Sequence, residues 1–250
     1  MIVIYTMMAY YPGKTGADLR KLLKTDCEKN QKTLGYTRAR EEMYGYIYND
    51  PKLSAVYCVY SGSKMPCEYD SMDTQCNKQL NCEHTVPQSF FGKKSPMVCD
   101  LHHMRATWST ANGARSDYYF SALTEDQIAS YYGSEFQTVQ KRPKDYQNWS
   151  ALQKGTAFEP RDAQKGDTAR AVAYFYTRYP TEAGSITKTF ASVDDMITWD
   201  EQFAPSALQM EQYKRAVEVQ GNINPFMLER HLVARAYCDM SKNYNCNDYK

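Results

Sequence analysis

The chain has 250 residues, enough for one large domain or two small ones and for a core that needs no disulfide to hold it. With 42% hydrophobic and 24% charged residues and a formal net charge of +1, it is neither a disordered polyelectrolyte nor a uniformly basic nucleic-acid binder. Any anion site has to be built locally, and no run of about 18 apolar residues exists to form a membrane-spanning helix.

The first residues, Met1 to Gly13, are biased toward apolar types but lack the basic start and small-residue cleavage site of a complete signal peptide. They read as the start of a mature chain given a new Met. Thr15 to Asn30 and Tyr36 to Tyr48 carry apolar side chains at three- and four-residue spacing, which predicts two helices. Ser54 to Tyr60 is aromatic and β-branched and stops at Ser61-Gly62-Ser63, the pattern of a strand. A polar, Cys-rich loop is expected over Lys64 to Asn81, then an extended segment from Cys82 to Phe91 that turns at Gly92-Lys93-Lys94. A helix is expected after Thr107, a short one from Glu125 to Tyr132, a polar loop from Lys141 to Lys165, and a helix from Asp167 to Tyr179 ended by Pro180. Ser206 to Gln220 and Pro225 to Tyr237 are the last two helices, the second with Asn224 as its cap and Pro225 in its first position. The whole predicts one α+β domain over 1–250, mostly helical.

Eight Cys, at 27, 58, 67, 76, 82, 99, 238 and 246, form no paired CxxC knuckles of a structural zinc site. They read as a disulfide framework, and hence as a periplasmic or extracellular protein. Cys238 and Cys246, separated by a short loop near the end of the chain, are the expected local pair.

Only four His occur, and His84, His102 and His103 fall in one segment with Glu83, Asp100 and Asn112. Adjacent residues on a strand face opposite sides unless the strand ends there, so Glu83 and His84 can divide labour. A hard cation such as Mg²⁺ takes carboxylate and amide oxygens, whereas a near-neutral imidazole suits taking a proton from water. Glu83 is then the ligand and His84 the base, with Asn112 a neutral oxygen donor that leaves the ion a stronger Lewis acid. Each has an ordinary reading: Asn112-Gly113 is a common hairpin turn, Glu83 a surface carboxylate, and Asp100 with His102 a carboxylate orienting a core imidazole. His103 and His231 read as structural or surface residues.

Cys82-Glu83-His84-Thr85-Val86-Pro87-Gln88-Ser89-Phe90-Phe91, then Asp100-Leu101-His102-His103 and Asn112-Gly113-Ala114-Arg115-Ser116, resemble the bacterial endonuclease I family. The likeness continues at Phe158-Glu159-Pro160-Arg161-Asp162, at Lys165-Gly166-Asp167-Thr168-Ala169-Arg170 and at Asn224-Pro225-Phe226, with Arg161 standing where the family pattern has Pro. The resemblance implies a ββα-metal (His-Me finger) core within about 82–120, surrounded by helices. It also implies a periplasmic or secreted nuclease that cuts DNA and RNA without sequence preference, leaving 5′-phosphate and 3′-hydroxyl ends. Carried onto this chain, His84 is the general base and Glu83 and Asn112 hold one Mg²⁺, a site that Mn²⁺ or Ca²⁺ can also fill. Arg105 and Arg115 are the candidates for the arginine that helps hold the phosphate, and Asp100 and His102 for support behind the site.

From Lys141 to Arg170 there are seven basic residues against four acidic ones, and Lys165 and Arg170 are candidates for contacting phosphates there. A basic stretch of this kind tracks a nucleic-acid backbone without reading bases; its ordinary reading is a solvated loop and helix face. Asp167 can equally serve as a helix cap. The expected substrates are DNA and RNA, bound through the backbone by a monomer. Two other classes compete: a zinc-dependent hydrolase of another substrate, against which the lack of an HExxH motif argues, and a non-catalytic disulfide-stapled binding protein, against which Glu83, His84 and Asn112 together argue.

Overall fold

In the computed structural model, residues 10–72 and 78–250 are described; residues 1–9, the start of the expected mature chain, and 73–77, the middle of the expected Cys-rich loop, lie outside that range. Helix α1 (Gly16–Glu28) forms where its periodicity places it, burying Leu19, Leu23 and Cys27 along one stripe. The next helix, α2 (Tyr36–Glu42), runs into a wider π-helical turn over Met43–Ile47, so the expected helix is present but loosened at its end. Gly45 is required in that turn, because a Cβ there would overlap the Ser71 carbonyl.

Three short strands, β1 (Asn49–Asp50), β2 (Ala55–Tyr57) and β3 (Lys64–Pro66), form an antiparallel sheet. The strand expected to reach Tyr60 stops at Tyr57. Beyond it, Val59 turns to donate its main-chain N–H to Ala106 at 3.0 Å. Then come β4 (Leu80–His84) and β5 (Met104–Trp108), paired antiparallel with Leu80 opposite Trp108 and His84 opposite Met104. Helix α3 (Ser109–Arg115) follows β5 without a loop. Every residue of β5 is buried, so it is covered on both faces and its sequence does not alternate cleanly.

The five-stranded sheet was not anticipated. It comprises β6 (Tyr119–Phe120), β7 (Ser130–Gly133), β8 (Gln137–Val139), β9 (Ser150–Gln153) and β10 (Ala157–Glu159), in the order β6-β10-β9-β7-β8. The helix expected over Glu125 to Tyr132 is therefore only a 3₁₀ turn, Glu125–Gln127, closed by a Thr124/Gln127 capping box before β7 begins. The loop expected over Lys141 to Lys165 holds β9 and β10 and the start of the next helix. Strands of two to four residues are too short for alternation to stand out among polar neighbours, although Ala151, Leu152, Ala157 and Phe158 are all buried.

Helix α4 (Asp162–Arg178) begins five residues before Asp167 and is buried around most of its circumference, packing on α1 and on the later helices α5 (Val193–Gln202) and α7 (Leu232–Tyr237). The sequence gives no strong sign of α5, which starts at Ser192, whose hydroxyl accepts from the Asp194 N–H. Between them, α6 (Ala207–Gln220) appears as expected, with a Ser206/Gln209 capping box and Gly221 at φ +91° closing it. The helix expected from Pro225 to Tyr237 is broken. Asn224 and Pro225 do start a turn, Pro225–Met227, but His231 sits at φ +65° before α7, held there by contact with Glu201 while Arg230 donates to the carbonyls of Asp200 and Glu201. The architecture is mixed α+β.

Cys238 and Cys246 are joined as expected, and Cys67 is also disulfide-bonded. Cys27, Cys58, Cys82 and Cys99 are free thiols buried in the core. This corrects the reading of all the cysteines as one disulfide framework: these four pack as small apolar side chains.

Candidate active site

Strand β4 ends at His84, and with it the alternation that would separate Glu83 from His84. Both line one groove of about 340 Å³, together with Asn112 and Arg115 from α3 and Lys93 from the turn after β4. The hairpin and the helix that follows it without a loop bring these residues together from positions far apart in the chain.

Glu83 is only 3% exposed. Its Oε1 accepts the Tyr60 hydroxyl at 2.7 Å and lies 3.3 Å from Arg115 Nη1, while its Oε2 accepts no hydrogen bond among the described residues. Burial pushes the carboxyl above its ordinary pKa, and the Arg115 charge and the Tyr60 hydrogen bond offset only part of that. Arg115 also donates to the carbonyls of Thr85 at 2.7 Å and His84 at 3.3 Å, and stacks on Phe120, so it fixes the end of β4.

His84 Nε2 lies 3.0 Å from the Val98 carbonyl. A carbonyl only accepts, which assigns the proton to Nε2 and leaves the lone pair on Nδ1. Burial pushes the imidazole pKa down to about 4 against the pull of that hydrogen bond, and the Arg115 and Arg40 charges lower it further. The ring is therefore neutral near pH 7. Asn112 contributes an unusual atom: its Oδ1 is buried yet accepts no hydrogen bond among the described residues. Leaving such an acceptor bare costs about 1 to 3 kcal/mol, which a bound cation would offset.

Other expected residues lie elsewhere. Arg105 stands opposite Glu83 in the hairpin, but its guanidinium clasps Asp167 on α4 at 2.6 and 3.1 Å and donates to the Met104 carbonyl at 2.9 Å. Asp167 is thus an internal ion-pair partner rather than a helix cap. Asp100 is a buried strut, accepting from the hydroxyls of Tyr174 and Tyr179, from the Gln220 amide and from the His102 main-chain N–H. The His102 ring turns its Nε2–H to the Asn222 carbonyl at 3.0 Å, so the hydrogen bond it gives Asp100 comes from its main chain. Arg170, 1% exposed, is paired with Asp200 at 2.8 Å. Lys165 is held by Glu159 and Asp162 at 2.6 and 2.7 Å, in a separate cleft with Arg142 and Trp149.

Lys93 and Tyr60 were not singled out by the sequence. Lys93 read only as part of a turn, which it is, at φ +57°; yet it lines the groove and makes no ion pair with any described residue. Nothing in the sequence ties Tyr60 to Glu83, 23 residues away.

His103 lies in the core behind His84, its Nε2 2.6 Å from the Met97 carbonyl. Burial pushes its pKa down to about 3, with the neighbouring His84 adding to the effect and Asp100 opposing it. Its folded value is below the unfolded one, so its contribution is complete above about pH 6.5 and is lost as the medium is acidified toward the folded value. Between pH 7 and pH 5 the unfolding free energy should fall by about 2 kcal/mol on its account. Urea unfolding at both pH values, wild type beside His103→Phe, measures this; equal pH dependence in the two proteins would refute it.

The family model for Endonuclease I matches residues 14–230. A periplasmic deoxyribonuclease of Aeromonas hydrophila is 25% identical over 203 residues, covering 70% of this chain and 78% of its own. An extracellular deoxyribonuclease of the same species is 24% identical over 219 residues, covering 76% and 88%. Glu83, His84 and Asn112 all lie within the matched stretch, and so does the helical body from α1 to the turn at Pro225. With a match of this extent, the chain belongs to the endonuclease I family.

Proposed function

We propose that this protein is a periplasmic or secreted endonuclease of the ββα-metal type, formed as one nuclease domain and acting as a monomer. It hydrolyses DNA, and RNA, without sequence preference and leaves 5′-phosphate and 3′-hydroxyl ends. The observation that carries this reading is the groove itself: a neutral imidazole beside a carboxylate and an unpaired amide oxygen. The relatives' names and the Cys238–Cys246 bond support the location. Among the described residues no helix is long and apolar enough to cross a membrane.

Glu83 Oε2 and Asn112 Oδ1 fit a hard divalent ion, with water completing its shell. One Mg²⁺, for which Mn²⁺ or Ca²⁺ can stand in, would be held there and would neutralise negative charge building on the phosphate. Among the described residues no three or more His, Cys, Asp and Glu side chains gather into the shell that a zinc hydrolase would need.

The chain's own part is to place the base and the charges. His84 Nδ1 removes a proton from the attacking water while its Nε2–H stays bonded to Val98, which prevents the ring from turning. The water oxygen bonds to phosphorus, the bond to the 3′ oxygen breaks, and that oxygen takes up a proton from solvent. Lys93 contacts a phosphate at the groove, and Arg115 keeps Glu83 and the end of β4 in place rather than reaching the substrate itself.

Purified protein with Mg²⁺ should degrade plasmid and structured RNA and leave casein intact. EDTA should stop cleavage, and excess Mg²⁺ should restore it. Undiminished cleavage in EDTA would remove the cation from the scheme.

A further inference from the structure

The two oxygens of the Glu83 carboxylate keep different company. Oε1 receives the Tyr60 hydroxyl at 2.7 Å and lies beside Arg115, whereas Oε2 has no hydrogen-bonding partner among the described residues. Tyr60 is 1% exposed and belongs to neither the hairpin nor α3. Its ring packs on Phe158 of β10 with centroids 4.8 Å apart, and its carbonyl accepts the Ser150 hydroxyl of β9 at 2.7 Å. Ser150 in turn accepts the Arg161 N–H at 3.1 Å, at the start of α4. The hydroxyl that meets Glu83 is therefore anchored to the five-stranded sheet through both its ring and its backbone.

A glutamate carboxylate turns easily about its last torsion, because that rotation has a broad, twofold profile. Arg115 supplies charge beside Oε1, but at 3.3 Å its hold is the looser of the two. We propose that Tyr60 is a positioning residue for the cation site: its hydroxyl fixes Oε1 and so keeps Oε2 turned toward the space it shares with Asn112 Oδ1. This rests on the reading of Glu83 as a cation ligand. Tyr60 carries no charge and meets no substrate; it raises cation affinity by removing the freedom that the carboxylate would otherwise lose on binding. Partners that orient a metal ligand in this way are typically worth about 10- to 100-fold in affinity.

Tyr60→Phe removes the hydroxyl alone and keeps the ring against Phe158. Titration of the full chain with Mn²⁺, followed by calorimetry or by the electron-spin signal of free Mn²⁺, should give a Kd about 10- to 100-fold weaker than wild type. Plasmid cleavage should fall at limiting Mg²⁺ and return to within a few-fold of wild type at saturating Mg²⁺. A role in packing alone would lower the melting temperature and leave the Kd unmoved. Glu83→Gln is titrated alongside. If it loses Mn²⁺ binding while Tyr60→Phe binds within twofold of wild type, the role of Tyr60 is overturned and Glu83 remains the ligand. If Glu83→Gln binds as wild type does, the ligand assignment itself fails, and the role of Tyr60 fails with it.

Discussion

Plasmid cleavage by a His84→Ala variant should fall about 10²- to 10⁴-fold near neutral pH, the range that a positioned base contributes. The ring is nearly buried and packs between Tyr36 and His103, so truncation also leaves a cavity and an unpaired Val98 carbonyl. Some stability is lost with it, and two controls separate that loss from the chemistry. His84→Gln fills more of the space and can still donate to Val98 but cannot serve as the base, so it should be as inactive as His84→Ala while melting closer to wild type. Added imidazole should return part of the rate to His84→Ala and none to His84→Gln. Full activity in His84→Ala would eliminate this residue as the base.

The second large effect concerns stability. Arg105 and Asp167 are each under 10% exposed, and together they join β5 to α4. Burial raises the Asp167 pKa, and the Arg105 charge and hydrogen bonds more than reverse this, so the carboxyl stays below its ordinary range. Removing one partner strands a buried charge, and Asp167→Ala should lower the unfolding free energy in urea by about 3 to 5 kcal/mol. Replacing both, as Arg105→Met with Asp167→Leu, should recover much of that loss. Below its own melting temperature the double variant should cut plasmid within a few-fold of wild type, because the Arg105 guanidinium is committed to Asp167 and backbone carbonyls outside the groove. A loss of cleavage as deep as that of His84→Ala would return Arg105 to the catalytic set.

The sequence carried the groove further than it carried the body of the fold. Glu83 and His84 are adjacent, and Asn112 lies in the helix that directly follows the partner strand, so one hairpin and the helix after it bring them close. Helices α1 and α6 were legible because a buried stripe, or a capping Ser with Gln three residues on, marks them. The basic residues were not legible in the same way. Lys165, Arg170 and Arg105 count as free positive charges in a sequence, but each is spent on a carboxylate that only folding brings near. Lys93, which lines the groove and makes no ion pair among the described residues, reads in the sequence as an ordinary turn residue. The five-stranded sheet escaped because its strands are shorter than the window in which alternation becomes visible. Cys238 and Cys246 pair as their spacing predicts, but the four free thiols escaped because pairing depends on a distance in space that spacing along the chain does not encode.

The four buried thiols bear on how long the molecule lasts. Cys27, Cys58, Cys82 and Cys99 are shielded from oxidants only while the packing around them stays closed. Once heat or denaturant opens the chain in an oxidising medium, scrambled cross-links can lock it out of its native arrangement. Durability there is then a matter of how rarely the protein opens, a rate rather than an equilibrium.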